Sequence, residues 1–182
     1  MSVFTNPAAA APGQASAYVS AILELLGDRT PMEVLARTPA ALVEAIDDVT
    51  GDRFRQSEAP GKWSIAQVLQ HLADAELVWG YRVRMILAHE RPAITGYDQD
   101  LFASRLRYDE AEPASALEQF RALRRANLAL LAKMSEADRQ RVGVHAERGE
   151  ESVNQMIRLN AGHDLLHLRQ IARIRVAIGA PV

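Results

Sequence analysis

Residues 152–178 read SVNQMIRLNAGHDLLHLRQIARIRVAI, and the spacing within them decides the fold. At about 100° per residue, Met156, Asn160, His163, His167, Gln170, Ile174 and Ile178 share one arc of roughly 80°, the inward stripe of an amphipathic helix. The middle of that stripe is polar, and an unpaired polar group in such a place costs about 1–3 kcal/mol. A helix aims histidines four residues apart the same way, so a bound divalent metal is an economical way to satisfy them.

The rest of the chain supplies partners for this helix. Trp63-Ser64-Ile65-Ala66-Gln67-Val68 is a strong helix start: Ser64 and Gln67 form a capping box, and Trp63 staples onto Val68. The helix it opens is expected to reach about His89 before Pro92, with Ile65, Val68, Leu69, Leu72, Ala75, Trp79, Val83, Ile86 and Leu87 inward. By the same angular count His71 sits at the edge of that face. Pro113 suits the first position of a third helix running to about Met134, with Arg121, Arg124 and Arg125 expected on a solvated face. Upstream, Tyr18 to Gly27, Thr30-Pro31-Met32-Glu33 and Thr38-Pro39 predict a helical arm broken twice. Ser152 to Gln155 repeats the capping-box pattern and opens the last helix. Segments 93–112 and 135–151 read as interruptions, the first with a helical turn near Leu101 to Arg105, and no alternating run predicts a sheet. The expected fold is all-α, a bundle of four main helices, after a small-residue, proline-broken leader over residues 1–14.

Composition narrows the function. A chain of 182 residues, 48% of them apolar, supports one domain with a proper core. A formal net charge of -2 gives no electrostatic footprint for nucleic acid. There is no cysteine, so disulfides and thiolate metal sites are excluded, and any thiol chemistry needs a thiol from outside. No stretch approaches the ~20 apolar residues of a membrane span, and the first residues lack a signal-peptide pattern, so a cytoplasmic protein is expected.

Neutral imidazole binds zinc, nickel, copper or iron, yet a histidine pair at this spacing arises on ordinary surfaces as readily as at a metal. Two features favour the metal: the pair faces inward, and His71 lies near the bundle side of another helix. At ~1.5 Å rise per residue His71 lies roughly 10 Å, and His163 roughly 16 Å, from the starts of their helices, so neighbouring helices can bring them level. Asp74, Asn160, Asp164 and Gln170 are candidates for orienting ligands or substrate, with ordinary bundle or solvent contacts the competing reading. His145 reads first as a surface or loop-packing residue and second as a group at the site's mouth. His89 reads as a helix C-terminal residue favoured by the dipole, Trp63 and Trp79 as staple and core, and Asp98 and Asp100 as turn formers.

The stretch Trp63 to Glu76, the loop Gly143-Val144-His145-Ala146-Glu147-Arg148-Gly149 and the run His163 to Ile171 together resemble the DinB-like (DinB/YfiT) superfamily. That resemblance spans nearly the whole chain after the leader and makes residues 15–182 a single domain of this type. It implies a four-helix bundle of up-down-down-up topology in which His71, His163 and His167 hold a divalent metal such as zinc, nickel, iron or manganese. It further implies a metal-dependent enzyme that activates a low-molecular-weight thiol or water, for S-transfer or for hydrolysis of a small-molecule substrate. A non-catalytic metal- or ligand-binding stress-response protein is the alternative. A homodimer is expected. Acid is expected to strip the ion, because protonated imidazole cannot ligate.

Overall fold

A computed structural model describes residues 12–180, with side chains from Ala17 onward. Residues 1–11 of the expected leader lie outside the described residues, and α1 (Pro12–Leu26) opens directly after them. Then follow α2 (Pro31–Ile46), α3 (Ile65–Ala88), β1 (Ala93–Ile94), α4 (Gln99–Arg105), α5 (Pro113–Leu131), α6 (Glu136–Gln140), β2 (Val142–His145), β3 (Gly149–Ser152) and α7 (Val153–Ala177). Short 3-10 turns at Gly51–Arg55 and Tyr108–Glu110 complete the helical content.

The four bundle helices form a closed ring: α3 packs on α5, α5 on α2, α2 on α7 and α7 on α3. Helix α1 lies outside the ring on α7. Gly162 permits that approach, because a Cβ there would stand 2.4 Å from Ile22 Cγ2 and 2.5 Å from the Ile22 carbonyl oxygen. No helix among the described residues is long and apolar enough to cross a membrane.

Local chemistry sets the helix ends. At α3 the capping box is complete, with the Gln67 amide donating to Ser64 Oγ and the Ser64 amide donating to Gln67 Oε1. At α7 only half of the expected box forms: the Gln155 amide donates to Ser152 Oγ. Thr30 is the N-cap of α2 by position, without a side-chain bond. His89 is the C-cap of α3, and it is Arg141 that donates to the carbonyls of Ile86 and His89 there.

Two expectations are corrected. The Thr38-Pro39 signal does not restart a helix, since α2 runs through Pro39. Proline has no N–H to give to the carbonyl four residues back, and that carbonyl, Leu35 O, accepts from Arg124 Nη1 at 2.9 Å instead. The region expected to lack strands holds a three-stranded sheet, β1 parallel to β2 and β2 antiparallel to β3. Its strands are two to four residues long, too short to show the alternation on which a strand is recognised. The sheet carries His145, which pairs in register with Ile94 and with Gly149.

The core divides in two. One apolar cluster surrounds Trp63, Leu69, Phe120 and Ile174; the other surrounds Trp79, Ile86, Leu131 and Met156. Between them every bundle helix contributes polar groups, Thr38 from α2, Glu76 from α3, Arg124 and Asn127 from α5, Asn160 and Asp164 from α7, all buried.

Candidate metal centre

Helix α3 presents His71, and α7 presents His163 and His167 one turn apart. Their candidate ligand nitrogens lie within 4.8 Å of one another. Nε2 of His163 stands 3.1 Å from Nε2 of His71 and 3.1 Å from Nε2 of His167. His71 and His167 are buried, while His163 is partly open to a cavity of about 140 Å³.

Protons alone do not account for this cluster. His167 Nδ1 is 2.8 Å from Gln170 Oε1, a carboxamide oxygen that can only accept, so Nδ1 carries the proton and Nε2 the lone pair. His163 Nε2 then holds either one proton or one lone pair, and it faces two other nitrogens. At least one of its close contacts is left without a full hydrogen bond. A cation accepting one lone pair from each ring satisfies all three, and ligands of a tetrahedral ion at ~2.0–2.1 Å stand about 3.3 Å apart, close to the spacing here. The donor set therefore fits a divalent metal.

The rings are held in the ligating form. Burial, with His167 and His163 beside it, keeps His71 well below the ordinary histidine value. Burial and the Arg124 charge push His163 down to about 4. Burial and His163 push His167 down to about 3. Burial thus makes the folded rings poor proton acceptors, and protonation competes for their lone pairs only well below the reference ~6.5. Trp63 lies against His71, ring centroids 5.0 Å apart, and His71 Nδ1 is buried without a hydrogen-bond partner.

The other candidates separate cleanly. Gln170 orients a ligand ring. Asn160 lines the cavity and donates from Nδ2 to Glu76 Oε2 at 3.2 Å. Asp74 accepts from Tyr108 Oη at 2.6 Å, and Asp164 pairs with Arg124; neither bonds a ligand histidine. Asp98 caps α4, accepting from the amides of Asp100 and Leu101. Trp79 is core and donates to the Met156 carbonyl. His145 belongs to the second of its two readings: it is 2% exposed and lines the same cavity as the three histidines.

Arg124 overturns the expectation of a solvated face. It is 1% exposed and donates to Asp164 at 2.6 and 3.1 Å, to Glu76 at 2.8 Å and to Leu35 O. Burial alone would lower its pKa, but Asp164 and Glu76 more than reverse that and hold the guanidinium charged. Asn127 joins by donating to Glu76 Oε1 at 2.8 Å. The group ties α2, α3, α5 and α7 together beside the histidines. Periodicity carried the signal: Ala116, Phe120, Arg124, Asn127 and Leu131 share one arc of α5, and Glu76 falls within the apolar arc of α3.

Comparison with known proteins agrees with this architecture. The profile of the DinB superfamily matches residues 35–171. A protein of Oceanobacillus iheyensis named "putative metal-dependent hydrolase" is 29% identical over 137 residues, covering 75% of this chain and 78% of the relative. YfiT of Bacillus subtilis, given the same description, is 25% identical over 146 residues, covering 78% of this chain and 82% of its own. The solved structure of YfiT, described as having "an unusual four-helix bundle topology", superimposes with a TM-score of 0.77 at 24% identity, covering 83% of this chain and 87% of that one. That match bears on the fold alone.

Proposed function

The chain belongs to the DinB superfamily, and from that premise we propose that it is a metal-dependent hydrolase in which His71, His163 and His167 hold a catalytic divalent ion. The observation that carries the reading is the convergence of three neutral imidazoles on the wall of an open cavity, with Nε2 of His163 standing 3.1 Å from that of each of the other two. The names of the relatives support the reaction class.

Three neutral protein ligands leave coordination positions vacant, as a catalytic site requires and a structural one does not. When bound, the ion supplies Lewis acidity and an acidified water at neutral pH. The chain's own residues prepare the place for it. Gln170 fixes the His167 tautomer, Trp63 walls off His71 from solvent, and the Glu76–Arg124–Asp164 group holds α3 and α7 at the separation the cluster needs. Asn160, its amide nitrogen tied to Glu76, offers a fixed polar group to whatever occupies the cavity.

A low-molecular-weight thiol is the competing nucleophile for the same vacant position, since the chain has no cysteine of its own. Elemental analysis of untagged protein and its His163→Ala variant, followed by assays on small esters and amides with and without added thiol, tests the proposal. Metal near one equivalent in the wild type, lost in the variant, with turnover independent of thiol, is expected. Equal metal in both proteins overturns the ligand assignment. Turnover that strictly requires a thiol overturns hydrolysis in favour of S-transfer.

A further inference from the structure

Opposite the three histidines the cavity has a second polar end, built by α3, the segment after β1 and the turn between β2 and β3. His145 is the informative residue there. Its Nδ1 accepts from the Glu147 amide at 3.2 Å, so in the neutral ring Nε2 carries the proton. That Nε2–H is buried and has no hydrogen-bond partner. A buried donor left unpaired is costly, and this one belongs to a side chain that lines the cavity.

The surrounding charges say what would pair with it. Arg82 lines the same end, half-buried, donating to the Thr95 carbonyl and lying 5.6 Å over the Tyr97 ring. Among the described residues no carboxylate lies within ion-pair distance of Arg82. Arg148 already has a partner, gripping the buried Glu151 through two hydrogen bonds. Glu147, the one acidic side chain among the described residues of the lining, lies against Gly96, where a Cβ would stand 2.6 Å from its Oε1. Glu147 and Glu151 act on Arg82 only at a distance, beyond ion-pair range. The three histidines are neutral, so an ion held by them would bring two further uncompensated positive charges to the cavity.

We propose that Arg82 and His145 form the seat for a carboxylate group of the substrate, whose scissile ester or amide then reaches toward the three histidines. The reading of the reaction rests on the proposed hydrolase function; the carboxylate seat itself does not. Arg82 supplies the charge and the forked donors that match a planar carboxylate, and His145 supplies the orphaned N–H. Burial and Arg148 hold the His145 ring down to about 4, so it is a neutral donor at neutral pH. The enclosed part of the cavity is about 140 Å³, close to the ~150 Å³ that receives benzene, so the part of the substrate held between the seat and the histidines is on the scale of one ring or a short chain. The substrate class is an organic acid whose remaining portion can extend through the open side of the cavity.

Benzoate and its neutral isostere benzamide are suitable probes for calorimetric titration of the metal-loaded protein. Variants are Arg82→Met, His145→Phe, His145→Gln and His163→Ala, with metal content and melting temperature recorded for each. Wild type is expected to prefer benzoate by about tenfold or more, the usual worth of a charge-assisted hydrogen bond. Arg82→Met and His145→Phe are expected to abolish that preference, and His145→Gln, which keeps an N–H donor, to restore part of it. His163→Ala is expected to lose metal and keep the preference, which separates failure of the metal reading from failure of this one. If His145→Phe does not fold, Arg82→Met on the half-buried face of α3 decides alone. Equal affinity for the two probes, or a preference untouched by Arg82→Met and lost in His163→Ala, overturns the proposal. Tighter binding of inorganic phosphate than of benzoate also overturns it.

Discussion

Replacing Arg124 with methionine keeps an unbranched stem in its place and removes the guanidinium and its charge from the middle of the bundle. Four hydrogen bonds of 2.6–3.1 Å disappear, leaving Glu76 and Asp164 as buried carboxylates without their cation and Leu35 O, already deprived of a helix partner by Pro39, without a donor. Removing one partner of a buried ion pair costs about 3–5 kcal/mol, because the remaining charge stays desolvated. For a domain of this size each kcal/mol is worth roughly 2–4 °C, so the melting temperature should fall by roughly 6–20 °C. Urea titration with circular dichroism gives the free energy, and heating gives the midpoint. Combining Arg124→Met with Glu76→Gln and Asp164→Asn should recover much of the loss, since the triple variant buries no unpaired charge. A loss under about 1 kcal/mol for Arg124→Met, far below the cost of stranding a buried charge, or a triple variant weaker than the single one, would refute the argument that this group clamps the bundle.

Three other perturbations bear on separate parts of the account. Gly162→Ala should destabilise by about 1–3 kcal/mol, as overpacking does, because the new Cβ meets the backbone of Ile22 and not only a movable side chain; chemical denaturation checks it, and a neutral effect would show that α1 shifts freely. Gln170→Leu should weaken metal binding by about 10–100-fold by freeing the His167 ring, read by competition with a chelating dye, with unchanged affinity the contrary result. In metal-free protein, His163 at about 4 and His167 at about 3 bind fewer protons folded than unfolded. Stability should therefore hold above the unfolded-state value of ~6.5 and drain away as pH falls toward 4, by about 3 kcal/mol from His163 alone. Denaturation midpoints measured from about pH 7.5 to about pH 4.5, a window that spans the unfolded-state value and approaches the folded one, test the sign, and a flat profile would contradict it.

The sequence announced the bundle through signals that act locally. Ser64 with Gln67, Pro113 and Ser152 mark helix starts by chemistry contained within a single turn, and the stripes behind them name the buried faces. The shared face of His163 and His167 was legible too, since a helical period fixes which residues of one helix lie together, whereas His71, at the edge of its own helix's face, joined them only through the family resemblance. What escaped depends on contacts between distant segments. Arg124 looks like its solvated neighbours Arg121 and Arg125 until Glu76 and Asp164 arrive from two other helices. His145 looks like a loop residue until β1, far earlier in the chain, pairs beside it and turns its strand over the cavity. Pro39 looks like a helix break until Arg124 takes up the carbonyl it leaves open.

The central claim is that three imidazoles from α3 and α7 hold one ion and leave part of its shell to the cavity. Anomalous diffraction from crystals of metal-loaded protein, collected at the absorption edge of the ion found by elemental analysis, tests it most directly. The account predicts one strong peak bonded to Nε2 of His71, His163 and His167, with no fourth protein ligand. A peak elsewhere in the molecule, or a shell closed by protein groups on every side, would contradict it.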